Sequence, residues 1–136
     1  MATTNATITL SSGDITGEPL NLSQTTPLTK AGTTTGLDQF TGVTRVVYAS
    51  AQTATNIITA ASYVDTTAAH KVYIRNVSTT PSDYIAVEVG SGNVSLGRLY
   101  GGDWAFLPWD GTNDIDIDTN AAMTVEYAIF SQSAAT

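Results

Sequence analysis

From residue 43 onward, apolar side chains recur at every second position, in short runs separated by turn residues. That period is the one a pleated strand imposes, because successive side chains point to opposite faces. Val43-Thr44-Arg45-Val46-Val47-Tyr48 reads as a strand, and Asn56-Ile57-Ile58-Thr59 as a weaker one. Val72 and Ile74 alternate with Lys71, Tyr73 and Arg75. Ile85, Val87 and Val89 alternate with Tyr84, Ala86 and Glu88. Gly90-Ser91-Gly92-Asn93 has the composition of a hairpin connection, leading into a return strand through Val94, Leu96, Arg98 and Tyr100. An apolar run at 103–109, a turn at Asp110-Gly111, and alternating runs at 114–118 and 123–130 complete the series. The spacing predicts about eight or nine short strands in an all-β, antiparallel β-sandwich or jelly-roll-like fold. No window of helical period with caps competes with it, although the Ala-rich stretch 49–69 has room for one helical turn.

Residues 1–42 differ. They are rich in Thr, Ser and Gly, with one alternating run around Ile8 and Leu10 and many turn residues thereafter. In a chain of 136 residues this suits a single domain. The expectation for 1–42 is a segment packed on the domain or on neighbouring subunits.

Composition narrows function. There is no Cys, which removes disulfides, thiolate metal sites and a cysteine nucleophile. Charged residues make up 12% of the chain, about half the usual share. Low charge suits a protein packed against neighbours, since interface cores are depleted in charge. The net charge is −7, and the cations Lys30, Arg45, Lys71, Arg75 and Arg98 are scattered. Phosphate backbones need clustered cations, so no direct nucleic-acid role is expected. No run approaches the ~18 apolar residues of a membrane span, and the first residues lack a basic and apolar secretory leader. The Asn-x-Ser/Thr sequences at Asn5, Asn21, Asn76 and Asn93 are those expected by chance from this composition.

Two segments carry candidate chemistry. Asp114, Asp116 and Asp118 alternate with Ile115 and Ile117. Three carboxylates two apart suit a cation or a contact to a basic partner. The calcium-loop pattern fails, however, because Thr119 and Val125 stand where Gly and Glu are needed. The competing reading is a strand with apolar residues inward and aspartates outward. In Trp104-Ala105-Phe106-Leu107-Pro108-Trp109 both faces are apolar. Trp104, Phe106 and Pro108 share one face, and Trp109 lies on the other. Pro108 cannot donate to a ladder and belongs on an edge or at a strand end. The segment reads as core, as a protein interface anchored by Trp, or as a platform for sugar rings. His70 is the only histidine, and no Gly-x-Ser-x-Gly elbow or P-loop accompanies it. No catalytic residue, metal site or cofactor is therefore expected.

The runs His70-Lys71-Val72-Tyr73-Ile74-Arg75-Asn76, Ser82-Asp83-Tyr84-Ile85-Ala86-Val87, Val94-Ser95-Leu96-Gly97-Arg98-Leu99, Gly102 to Gly111 and Val125-Glu126-Tyr127-Ala128-Ile129-Phe130 carry a resemblance. Over about residues 43–130 the chain resembles small structural proteins of tailed bacteriophages, especially marine and cyanobacterial ones. The resemblance implies a non-enzymatic virion component, made in the host cytoplasm and residing in the virion. A capsid decoration (cement) protein is the first expectation. Its partners would be the major capsid protein, or other virion proteins, and its own copies, with a trimer suggested by the threefold positions of shells. The second expectation is a tail, fibre or knob component that binds host glycan.

Overall fold

The computed structural model describes residues 3–15, 17–60, 63 and 69–132. Alternation becomes pairing throughout: every strand pair is antiparallel. The strands are β1 (Asn5–Ser12), β2 (Leu20–Pro27), β3 (Gln39–Phe40), β4 (Thr44–Tyr48), β5 (Gln52–Ile58), β6 (His70–Asn76), β7 (Tyr84–Val89), β8 (Val94–Tyr100), β9 (Trp104–Trp109), β10 (Ile115–Thr119) and β11 (Met123–Ser131). The class is as expected, but the described residues form eleven strands rather than eight or nine. The additions, β2 and β3, fall in the Thr-rich N-terminal region. Of the 49–69 stretch, 52–58 is strand β5, and part of the remainder lies outside the described residues. Among the described residues no helix is long and apolar enough to cross a membrane.

One sheet runs β5-β10-β7-β8. The other runs β3-β11-β6-β9, with β4 also paired to β11. Their inner faces meet through Ile58, Ile85, Val87, Ile115 and Ile117 from the first, and Val72, Ile74, Trp109, Val125 and Ile129 from the second. Most of these are β-branched, and their stiff side chains fit a pleated surface. Each such burial stabilises by about 1.5–3 kcal/mol. The result is a β-sandwich-like body.

Among the several points where the chain changes sheets, the β6–β7 and β8–β9 crossings touch each other. A Cβ at Gly101, in the second crossing, would collide with the Thr80 carbonyl oxygen in the first, so no larger residue fits. Asn76 lies beneath both crossings and is fully buried.

β1 and β2 form a separate two-stranded sheet. Its base is held by Leu28, which is buried and accepts from the Leu37 amide at 3.0 Å. The Ala31 amide donates to Gln132 Oε1 at 2.9 Å, and Lys30 pairs with Asp38 at 2.7 Å. Beyond that anchor, β1 and β2 pair only with each other.

Candidate functional site

The register of β9 on β6 decides which tryptophan faces the core. His70, Val72 and Ile74 oppose Trp109, Leu107 and Ala105, and the first three are buried. Trp109 is therefore a core residue, 6% exposed, with its indole N–H donating to the Asn113 carbonyl at 2.7 Å. The structure thus separates it from the other three expected interface residues. Trp104, Phe106 and Pro108 oppose Arg75, Tyr73 and Lys71 on the outer face of the five-stranded sheet. Trp104 is 51% exposed. Pro108 sits next to the end of an edge strand, where its missing N–H costs nothing.

That outer face carries more aromatic surface than β9 alone suggests. Phe130 on β11 stacks on Phe40 of β3, centroids 4.7 Å apart at 18°. Phe106 continues the strip at 6.2 Å from Phe130. Phe40 and Phe130 escaped sequence reasoning. Phe130 could have been found, because it follows the inward Ile129 and makes both faces of β11 apolar there. Phe40 gives no such signal, lying on a two-residue strand among turn residues.

Three of the five cations also lie on this face. Arg45, Glu126 and Arg75 stand side by side on β4, β11 and β6, and Lys71 lies between Phe130 and Pro108. Glu126 is largely buried and accepts from the Tyr73 hydroxyl at 2.8 Å and from Arg45 Nε at 2.9 Å. These two donors hold its carboxyl below the usual range. Burial, and then the same bond to Glu126, push the Tyr73 phenol up.

The aspartates occupy the opposite side of the molecule. Ile115 and Ile117 point inward, leaving Asp114, Asp116 and Asp118 on the outer face of the four-stranded sheet. Their oxygens are engaged in tying down β5 and the residues just after it. Asp118 accepts the Ala54 amide at 2.6 Å, Asp114 the Ala60 amide at 2.7 Å, and Asp116 the Asn56 side chain at 3.1 Å. The β10–β5 ladder shifts register twice, so backbone donors there lack strand partners, and carboxylates take their place. Among the described residues no group of three or more His, Asp or Glu is arranged to hold a metal ion.

Glu88, opposite Asp116, is 8% exposed. Burial, followed by the charges of Asp118 and Asp116, raises its carboxyl above the usual range. An acid whose folded pKa lies above its unfolded value carries a penalty that is absent below the unfolded pKa. The penalty grows as pH rises towards the folded one. Glu88→Gln should therefore raise the urea midpoint at pH 7, with the gain shrinking as pH falls through the carboxylate range. An equal effect at pH 7 and at pH 3 would contradict this electrostatic origin.

His70 is buried beside Trp109 and Tyr63, each with ring centroids 6.1 Å away, and helps to line an open hollow of roughly 520 Å³ with Leu96 and Leu107. No protein-family model, curated protein or solved structure matches the chain.

Proposed function

We propose that this protein is a structural component of a bacteriophage virion, a capsid decoration protein that binds and stabilises the shell without catalysing a reaction. The observation that carries this reading is the amount of apolar surface left open on so small a chain. Ile8, Leu10, Leu20 and Leu22 are exposed on the hairpin, and Phe40, Trp104 and Val47 on the outer sheet face. Patches of this kind mark surfaces that meet other proteins. The low charge of the chain and its resemblance to phage structural proteins agree with it. Decoration would act mechanically, through many modest contacts summed over a lattice.

Purified protein mixed with capsids that lack it should co-sediment saturably, at a fixed ratio to the major shell protein. Absence of binding would reject the decoration role. Trp104 supports one other reading, a tail or knob module that stacks a host sugar ring on its exposed indole. In that case glycan titration should change the fluorescence of the wild-type protein but not of Trp104→Phe, since Trp109 is enclosed. A flat titration across a broad glycan panel would remove this alternative.

A further inference from the structure

The N-terminal hairpin is amphipathic, and its apolar face is uncovered. Register places Ile8 opposite Gln24, Leu10 opposite Leu22, and Ser12 opposite Leu20, so Ile8, Leu10, Leu20 and Leu22 share one face. All four are exposed, from 36% to 45%. The other face is a hydroxyl ladder, with Thr7 bonded to Thr25 at 2.9 Å and Thr9 to Ser23 at 3.4 Å. An isolated two-stranded ribbon is marginally stable at best in water. A ribbon with one apolar and one polar face needs a surface to lie on.

We infer that the hairpin of one copy seats, apolar face down, on the aromatic outer face of the five-stranded sheet of a second copy. Three features select this occupant. The strands of the hairpin carry no charged residue, which suits a strip made of Phe40, Phe130 and Phe106. Its turn carries Asp14 and Glu18, whereas the receiving face carries Lys71 and Arg75. The acidic face with Glu88, Asp116 and Asp118 would repel that turn. Dimensions also agree: an eight-residue ribbon is about 26 Å long and two strands wide, and the span from β3 to β9 is about 15 Å. Each copy donates one hairpin and accepts one, so the contacts are all satisfied only in a closed oligomer.

The inference deepens the assembly reading, and the two fail separately, because this one is tested with no capsid present. The full chain should have a solution mass that is an integral multiple, two or more, of 14.2 kDa. A donor variant, Leu10→Asp with Leu22→Asp, should weaken self-association at least ~100-fold, since carboxylates would enter an apolar contact. The variant should still unfold in one cooperative thermal transition, now independent of protein concentration, which excludes misfolding as the cause. An acceptor variant, Phe40→Asp with Pro108→Asp, should do the same from the other side. Mixed together, the two monomeric variants should form a one-to-one heterodimer, because each retains the half that the other lost. A wild-type monomer at high concentration, an oligomeric donor variant, or two monomeric variants that do not combine would each overturn the inference.

Discussion

Trp109→Ala should lower the unfolding free energy by about 3–5 kcal/mol, whereas Trp104→Ala, five residues earlier on the same strand, should change it by less than about 0.5 kcal/mol. The difference lies in strand parity. Trp109 faces inward, packs edge-on against Tyr63 at 5.2 Å, and its indole N–H is bonded to the Asn113 carbonyl. Truncation removes the largest side chain of the core and opens a cavity at the end of the sandwich. It also leaves that carbonyl without its donor. In a domain of this size the loss corresponds to about 10–15 °C in Tm. Trp104 is half exposed, so its removal opens no cavity. Paired thermal melts of the two variants would check this. Reversed losses would mean that β9 lies the other way up, and equal losses that Trp104 is enclosed as well, which would remove the exposed indole from both functional readings.

The period-2 pattern is legible wherever one face of a strand is buried. In β6, β7, β10 and β11 the inward set, Val72 and Ile74, Ile85 and Val87, Ile115 and Ile117, Val125 and Ile129, is apolar and β-branched. The pattern failed where burial does not enforce it. β2 is exposed at every position and is held by backbone pairing to β1, so Leu20 to Pro27 reads as a polar loop. β3 is a two-residue strand added to the end of β11. Parity alone told that Trp104 and Trp109 face opposite ways. Which one is inside depends on their pairing with Arg75 and His70, distant in sequence. The aspartates show the converse. Their alternation gives the strand, but their bonds to Ala54, Asn56 and Ala60 depend on bulges in a ladder that no local pattern reports.

Asn76→Ala should cost about 3–5 kcal/mol, more than any surface change, because one polar side chain ties together the β6–β7 and β8–β9 crossings. Asn76 is fully buried. Its amide nitrogen donates to the carbonyls of Asp83 at 3.2 Å and Leu99 at 3.0 Å, and its oxygen accepts from the Ser78 amide at 2.9 Å. Its backbone binds the second crossing too, donating to Asp103 and accepting from Gly102, each at 3.0 Å. Alanine keeps the backbone bonds and strands two carbonyls and one amide, at about 1–3 kcal/mol each before water relieves part of the cost. Such burial also means that the Asn76-Val77-Ser78 sequence presents no acceptor to a glycosylating enzyme in the folded chain. Asn76→Asp provides the sharper test. Ionised aspartate has only acceptors, so it would face two carbonyl oxygens with no proton to offer and should be worse than alanine at pH 7. Its folded pKa would be raised above the unfolded value, so stability should return as pH falls and the protonated acid regains one donor. Urea denaturation at pH 7 and pH 4 would show it. Recovery of the aspartate variant but not of the alanine variant is expected. Equal behaviour of the two would mean that Asn76 holds the crossings by shape rather than by its amide.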